Sequence, residues 1–185
     1  MEYNIKYEGN ILHPTAIIHP SVKMGKGNYI GPYVVLDENV ILGNNNYIGS
    51  HCIIGDLGES IKFFDKEKKG VIIGDNNRFT KQVTVDSGTV DPTIVKNNTL
   101  WLKNAHAGHD CIVEDDVQLR CNAIIGGHVV ASRGSRIYLG AIVHPRLILP
   151  KNCIIGMGAI ITKKIVLVDN GVYVGNPGRL LRIQD

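Results

Sequence analysis

Apolar residues recur at every sixth position over most of the chain. The first run starts at Leu12 and ends at Ile54, and a glycine directly follows five of its eight members. The frame reappears at Ile73, Phe79 and Val85. After a second break it holds at fourteen consecutive positions: Val95, Trp101, Ala107, Val113, Leu119, Ile125, Ala131, Ile137, Val143, Leu149, Ile155, Ile161, Leu167 and Tyr173. A repeat sustained over this length indicates one short structural unit copied many times.

A period of six residues favours a solenoid over a helix or a set of hairpins. It differs from the 3.6-residue period of an α-helix, and it is shorter than the usual spacing of turns between hairpin strands. Three hexapeptides, about 18 residues, complete one triangular coil, and neighbouring coils pair as parallel strands about 4.8 Å apart. We therefore predict an all-β fold, a left-handed parallel β-helix (a hexapeptide-repeat solenoid) with two loop insertions.

The residue two positions before each aliphatic residue is also predicted to face inward, where only a small or slender side chain fits. Residues at this position include Ala16, Val22, Val34, Val40, Cys52, Ala105, Cys111, Ala123 and Cys153. Three of the four cysteines are thus explained as core residues. Since no CxxC pair occurs, neither a disulfide scaffold nor a zinc knuckle is indicated.

Two segments interrupt the repeat and are predicted to be loops. Residues 56–70 are rich in charge, and residues 86–94 contain glycine and proline. Loops that project from a rigid scaffold commonly build a binding site, although a tolerated surface insertion is the alternative. Residues 168–185 leave the repeat and are expected to form a short strand and a brief tail. Residues 1–185 are therefore predicted to form a single β-helix domain.

Composition and charge narrow the classes of partner. The chain has 185 residues and a formal net charge of +3, which is too balanced to indicate nucleic-acid binding or a polybasic membrane contact. It has no apolar run of about 18 residues and no basic-then-apolar start, so we expect no membrane insertion and a cytoplasmic location. With 21 glycines and only 6% aromatic residues, the composition suits a turn-dense β architecture.

Four of the seven histidines fall at spacings close to the expected length of a coil. His106 and His109 share one coil. His128 follows His109 by slightly more than one coil length, and His144 follows His128 by slightly less than one. These spacings predict that the imidazoles stack along one edge of the prism in three adjacent coils. The remaining histidines, His13, His19 and His51, are expected to have surface or packing roles.

A histidine cluster of this kind can supply a general base or a metal site. A neutral imidazole suits abstraction of a proton from a sugar hydroxyl near neutral pH. The adjacent segment Ile125-Gly126-Gly127-His128 would bring bare backbone beside the same edge, where an N–H could stabilise the oxyanion of a thioester carbonyl. A catalytic zinc ion would instead need three ligands and an open position.

Residues 30–161 resemble the UDP-N-acetylglucosamine O-acyltransferases of lipid A biosynthesis. The resemblance rests on IGDNNRFTKQVTVDSGTV (73–90), NAHAGHDC (104–111), GGHV (126–129) and AIVHP (141–145), at the spacings of that family. It implies an acyltransferase of lipopolysaccharide or surface-glycan biosynthesis, assembled as a homotrimer with active sites between subunits. It also implies specific roles: His109 as general base, Gly127 as oxyanion donor, and His106, His128, His144, Asp86 and Lys62 as residues of the substrate site.

The chain departs from the family's pattern around the acceptor and at its end. Ser60 replaces an Asp of the substrate loop and Glu59 a Gln, while the family's IHRGTV appears here as residues 85–90, VDSGTV. Pro145 replaces a Gln after the last histidine. The family's C-terminal helical domain is absent from this sequence. Residues 174–179, VGNPGR, instead resemble the ending of acetyl-CoA-dependent sugar acetyltransferases, so Asn176 and Arg179 are candidate donor-binding residues.

These observations predict transfer of an acyl group, most simply acetyl, from a thioester to a hydroxyl or amine of a nucleotide-linked amino sugar. The expected donor is acetyl-CoA or an acylated acyl carrier protein, with no metal cofactor. An acyl-carrier-protein-dependent UDP-N-acetylglucosamine O-acyltransferase is the first alternative. A zinc enzyme like the γ-class carbonic anhydrases is the second, although their H-x4-H spacing does not occur here. A scaffold without catalytic activity is the third.

Overall fold

The computed structural model describes residues 8–59 and 67–184, which form a left-handed parallel β-helix, as predicted. The chain passes repeatedly through three sheets, which we call A, B and C in the order in which it enters them. Sheet A contains β1 (Ile11–Leu12), β4 (Tyr29–Ile30), β7 (Tyr47–Ile48), β10 (Arg78–Phe79), β13 (Leu100–Trp101), β16 (Gln118–Leu119), β19 (Arg136–Ile137), β22 (Ile154–Ile155), β24 (Gly171–Val174) and β25 (Arg179–Ile183).

The other two sheets form the remaining faces of the prism. Sheet B contains β2 (Ile17–Ile18), β5 (Val35–Leu36), β8 (Ile53–Asp56), β11 (Thr84–Asp86), β14 (His106–Ala107), β17 (Ile124–Ile125), β20 (Ile142–Val143) and β23 (Ile160–Ile161). Sheet C contains β3 (Lys23–Met24), β6 (Val40–Leu42), β9 (Val71–Ile73), β12 (Thr93–Val95), β15 (Ile112–Val113), β18 (Val130–Ala131) and β21 (Ile148–Leu149). None of the described residues forms a helix of the length and apolarity that crossing a bilayer requires.

The register of the strand pairs shows where the two insertions enter. In an uninterrupted coil the paired residues lie three hexapeptides apart, as Ile11 and Tyr29 do. Ile54 pairs with Val85 across the first insertion, and Val85 pairs with Ala107 across the second, so both coils contain extra chain. Both insertions leave the solenoid between sheets B and C. The second loop is shorter than predicted, residues 87–92, because β11 extends to Asp86 and β12 begins at Thr93.

The predicted inward positions form one continuous core. Almost every residue of the six-residue frame is buried, and so are the three cysteines at the small inward positions. The largest side chains lie in consecutive coils, where the Phe79 and Trp101 rings stack with centroids 5.3 Å apart. Sheet A adds a feature that the apolar pattern does not show: a ladder of buried amides in which the Asn28 side chain bonds to Asn10 and that of Asn46 bonds to Asn28.

The C-terminal segment stays closer to the solenoid than expected. The short strand predicted within residues 168–185 is β24, which keeps the register of the regular coils through the pair Ile155 and Tyr173. β25 then turns back and pairs antiparallel with β24. This hairpin covers the backbone edge that the last coil would otherwise expose.

Candidate functional site

The clustered histidines lie along one corner of the prism, where the chain passes from sheet B to sheet C. His109 lies between β14 and β15, His128 between β17 and β18, and His144 between β20 and β21. Both insertions leave the solenoid at this same corner, which we call the B/C corner. The shared edge predicted from the spacing of the histidines is therefore present, and the loops lie beside it.

An aspartate fixes the orientation of His109. Asp110 Oδ2 lies 2.6 Å from His109 Nδ1 and accepts a 2.7 Å hydrogen bond from the Thr89 hydroxyl. Asp110 Oδ1 accepts hydrogen bonds from the Val90 and Asp91 N–H groups at 2.8 and 2.9 Å. The second insertion is therefore folded onto this carboxylate.

The hydrogen bonds to Asp110 also determine its protonation state. Burial acts to raise the pKa of Asp110, but the hydrogen bonds from Thr89, His109 and the two N–H groups outweigh it and hold the pKa well below its usual range. An ionised Asp110 accepts the Nδ1 proton of His109. The Nε2 atom of His109 is then left as a lone-pair acceptor facing the neighbouring coil.

The surface opposite His109 is bare backbone. A Cβ atom added to Gly127 would lie 2.7 Å from His109 Nε2, and one added to Gly108 would lie 2.8 Å from Gly127 N. Glycine at these two positions therefore keeps the imidazole and the Gly127 amide close together. Among the described residues, no acceptor receives the Gly127 N–H.

These groups line a cavity of about 310 Å³ at the B/C corner. Its walls are formed by Glu59, Asp86, His106, Gly108, His109, Gly126, Gly127, His128, Pro145 and Arg146. Five residues assigned to the site from the sequence thus meet around one cavity, with the His109 imidazole and the Gly127 backbone on its surface.

Asp86 and His106 form the end of the cavity nearest the first insertion. His106 Nδ1 is hydrogen-bonded to the Thr84 hydroxyl at 2.8 Å, and His106 Nε2 lies 3.9 Å from Asp86 Oδ2. Burial lowers the pKa of His106, which favours the neutral imidazole. The pKa of Asp86 is raised to about 7, mainly by burial and also by the nearby charges of Glu59 and Asp56, against a hydrogen bond from the Glu59 backbone.

His128 lies on the other side of His109. The two rings meet edge to face with centroids 5.1 Å apart, and His128 Nε2 is 3.7 Å from Asp110 Oδ2. Burial lowers the pKa of His128, with Asp110 opposing and Arg146 reinforcing that shift. One ligand atom each from His109, Asp110 and His128 lies within 4.8 Å of the others, so this group could hold a cation.

Three of the other assigned residues, His144, Arg179 and Asn176, are not part of the wall of this cavity. His144 is exposed, its Nδ1 atom is 2.9 Å from the Pro145 carbonyl, and the cavity wall at that coil is formed by Pro145 and Arg146 instead. Arg179 lines a second cavity of about 400 Å³ together with Thr162 and Pro177. Lys62 lies outside the described residues.

The second cavity continues the same corner of the prism. The N–H of His144 donates to the carbonyl of Ile161, so Thr162 lies one coil beyond His144. Three coil spacings separate the His109 coil from the Thr162 coil, which is about 14 Å along the prism. Asn176 is exposed in the turn between β24 and β25 and is not part of the wall of this cavity.

Comparison with known proteins finds similarity to acyltransferases. Residues 21–56 match the family "Bacterial transferase hexapeptide (six repeats)". An 80-residue stretch is 35% identical to the acyl-[acyl-carrier-protein]–UDP-N-acetylglucosamine O-acyltransferase of Campylobacter concisus. The chain resembles the hexapeptide-repeat acyltransferases. The 80-residue stretch covers 42% of this chain and 30% of the Campylobacter protein.

Solved structures extend the likeness over nearly the whole chain. The UDP-N-acetylglucosamine O-acyltransferase of Moraxella catarrhalis superimposes with a TM-score of 0.69 and 28% identity, over 96% of this chain and 74% of that one. The UDP-N-acetylglucosamine acyltransferase of Francisella novicida gives a TM-score of 0.79 at 24% identity, over 96% of this chain and 70% of that one, which supports the fold.

Several residues of the site, some on the cavity wall and some behind it, were not predicted from the sequence. Asp110 stands directly after His109 in the NAHAGHDC segment, and that adjacency could have suggested an orienting carboxylate. Thr89 and Glu59 lie in the insertions, whose folding onto the corner no spacing rule describes. Arg146 gave no signal in the sequence, because it is one of several scattered basic residues and only the coil places it on the cavity wall.

Proposed function

We propose that the protein transfers an acyl group, most simply acetyl, from a thioester donor to a nucleotide-linked amino sugar bound at the B/C corner. One observation carries the proposal. The imidazole of His109 is anchored through Nδ1 on an ionised Asp110, while its Nε2 atom faces a glycine backbone whose N–H has no acceptor in the described part of the chain. A base and an oxyanion donor side by side are what direct acyl transfer requires.

The reaction needs no covalent enzyme intermediate, because a thioester is already activated. His109 Nε2 takes the proton of the acceptor hydroxyl or amine, and that oxygen or nitrogen forms a bond to the thioester carbonyl carbon. The Gly127 N–H stabilises the resulting oxyanion. When the carbon–sulfur bond breaks, the thiolate leaves and takes the proton from the His109 imidazolium.

The cavity supplies groups for the sugar on both sides of His109. His106 and Asp86 lie toward the first insertion, and His128 lies toward the next coil. Their hydrogen-bonding atoms match the hydroxyl and amide groups of a sugar. Lys62 and His144 are proposed to contact the nucleotide-sugar acceptor as well, His144 from the rim of the corner.

The thioester arm is proposed to follow the B/C corner toward the second cavity. Arg179 lies there with Lys164, and the two cationic groups could bind the phosphates of a pantetheine carrier. Asn176 would contact the same donor from the adjoining turn. Acetyl-CoA is the favoured donor, and an acylated acyl carrier protein is the alternative that the Campylobacter relative's name supports.

The assembly is proposed to be a homotrimer with sites between subunits, in the cytoplasm. The outer faces of the two sheets that meet at the B/C corner both expose isoleucines, which are Ile17, Ile124 and Ile142 on sheet B and Ile41, Ile72 and Ile148 on sheet C. Apolar side chains on two adjacent faces favour burial against neighbouring copies. All four cysteines are free thiols, which fits a reducing compartment.

The test is acyl transfer by wild-type protein and by His109→Ala, assayed by mass spectrometry with a panel of nucleotide sugars and with acetyl-CoA or an acyl carrier protein as donor. We expect a transferred acyl group with wild type and a rate lowered about 10²- to 10⁴-fold by His109→Ala. The matched control is His13→Ala, since His13 is an exposed histidine far along the prism whose ring bonds only to Thr15. An active His109→Ala variant, or an inactive wild type, would contradict the proposal.

A zinc-dependent reaction is the second candidate, and the His109, Asp110 and His128 cluster is what favours it. Against it, the carboxylate of Asp110 already accepts several hydrogen bonds from the second insertion. Stoichiometric zinc in the purified protein, with activity lost on chelation, would support this candidate. Full acyl transfer by zinc-free protein would exclude the zinc-dependent reaction. A scaffold without activity predicts no thermal stabilisation by acetyl-CoA or nucleotide sugars.

A further inference from the structure

A buried carboxylate in the cavity has one oxygen without a partner. Asp86 is 6% exposed, and its Oδ2 atom accepts no hydrogen bond from any described residue. A buried carboxylate oxygen without a hydrogen bond is unfavourable, so this atom is expected to have a partner in the working protein. Because Asp86 lies on the cavity wall, a ligand bound in the cavity can be that partner.

No cation of the described chain neutralises Asp86. Neither a lysine nor an arginine among the described residues lies within ion-pair distance of it, and the nearest cationic candidate is His106 Nε2 at 3.9 Å. Burial lowers the pKa of His106, so this imidazole is neutral around pH 7. Glu59 and Asp56 add negative charge to the same region, as their effect on the pKa of Asp86 shows.

The region therefore favours a cation over a neutral group. With its pKa raised to about 7, Asp86 ionises at neutral pH only at a cost, and a hydroxyl that donated one hydrogen bond to it would leave the buried negative charge uncompensated. An ammonium group donates up to three hydrogen bonds and neutralises the charge at the same time. Glu59 on the same wall adds to the attraction, since it carries the same sign as Asp86.

We infer that the acceptor is an amino sugar with a free amino group, which binds Asp86 as an ammonium ion and supplies the nitrogen that is acylated. This inference rests on the proposed function and decides between its hydroxyl and amine forms. Asp86 takes one proton from the ammonium and releases it to solvent, which leaves a neutral amine. The amine nitrogen then forms the amide bond, its second proton passes through His109 to the leaving thiolate, and the products are an amide and a thiol.

The decisive experiment compares two acceptors that differ in one atom. Wild-type protein is assayed with UDP-N-acetylglucosamine and with its analogue in which an amino group replaces the 3-hydroxyl, with acetyl-CoA as donor. We expect kcat/KM to be at least tenfold higher for the amine, and the product to resist hydroxylamine as an amide does. Equal or better use of the hydroxyl acceptor would overturn the inference and leave the proposed function standing. Acylation of neither acceptor, together with no transfer from acetyl-CoA or an acylated acyl carrier protein to any nucleotide sugar of the panel, would overturn the proposed function itself.

Two variants show whether Asp86 is the source of the preference. We expect Asp86→Asn to lower kcat/KM for the amine at least tenfold more than it lowers kcat/KM for the hydroxyl, mainly through KM. Glu67→Gln is the matched control, because Glu67 is an exposed carboxylate of the first insertion whose one ion pair in the described residues is with Lys69, at 3.8 Å. A preference that survives Asp86→Asn would contradict the assignment of this residue.

Discussion

At the scale of single residues, the corner combines one carboxylate bonded at both oxygens with one carboxylate that has an unpartnered oxygen. Asp110 accepts hydrogen bonds from His109 and from the second insertion, and its pKa is held well below the usual range. Asp86, in contrast, is buried with an unpartnered oxygen, and its pKa is raised to about 7. The first arrangement fixes an imidazole in place. The second costs stability, which is typical of a group kept for binding.

The cost at Asp86 predicts a pH-dependent difference in stability. The pKa of Asp86 is about 7 in the folded chain and about 3.9 when unfolded, so above pH 4 the folded state holds a proton that the unfolded state has lost. The free energy of unfolding of wild type should therefore fall, relative to Asp86→Asn, as pH rises from about 4 to about 7, and stay level above that. We expect Asp86→Asn to be more stable by about 2–4 kcal/mol at pH 8.

The measurement is urea unfolding of both proteins at matched concentration across this pH range. Taking the difference between the proteins cancels the titration of groups common to both, although His106, Glu59 and Asp56 face Asp86 and remain coupled to it. A difference that does not change with pH would show that Asp86 is ionised in the folded chain at little cost.

At the scale of the elements, the solenoid is held together by stacks of identical positions. Aliphatic residues stack in all three sheets, and sheet A adds the amide ladder in which Asn46 donates to Asn28 Oδ1 at 3.1 Å and to the Gly74 carbonyl at 2.9 Å. Asn46 Oδ1 also accepts from the Asn77 N–H. Each buried amide thus joins three coils, and none of these bonds can be replaced by water.

Removal of one amide from the ladder should destabilise the protein. Asn46→Ala leaves Asn77 N–H and the Gly74 carbonyl without their bonds, so we expect the free energy of unfolding to fall by about 2 kcal/mol or more. The matched control is Asn44→Ala in the same coil, whose side-chain bonds are exposed and should cost less than about 0.5 kcal/mol. Equal losses in the two variants, measured by urea unfolding, would contradict a stabilising role for the ladder.

The elements differ in how far the sequence could predict them. The six-residue frame predicts the inward aliphatic residues, because the core positions of a solenoid repeat with the period of its strands. The amide ladder was missed, since Asn28 and Asn46 occupy inward positions where a search for apolar side chains finds nothing. His109, His128 and the B/C corner follow from the coil length. The direction in which the His144 side chain points does not follow from the coil length, because it depends on the rotamer and on Pro145.

At the scale of the whole molecule, the candidate site lies between two faces that expose apolar side chains. Ile142 lies on the outer face of sheet B in the coil of His144, and Leu139 of the same coil lies at the corner between sheets A and B. If sheets B and C contact neighbouring copies, the cavity is completed by the assembly. A charge placed on Ile142 would then disturb both the assembly and the activity.

Substitution of Ile142 by arginine tests this arrangement. We expect Ile142→Arg to shift the mass measured by light scattering from trimer toward monomer and to lower acyl transfer at least tenfold. Leu139→Arg, the control at an equally exposed apolar residue away from the corner, should keep both the trimer and the activity. A trimeric Ile142→Arg protein would show that this face of sheet B is not an interface.

The central claim is that acyl transfer takes place at His109, and a structure with bound nucleotide sugar and a thioester analogue measures it most directly. The account predicts the acceptor atom about 2.6–3.2 Å from His109 Nε2 and the thioester oxygen within hydrogen-bond distance of the Gly127 N–H. A sugar bound elsewhere on the prism, with His109 Nε2 facing solvent in the complex, would contradict it.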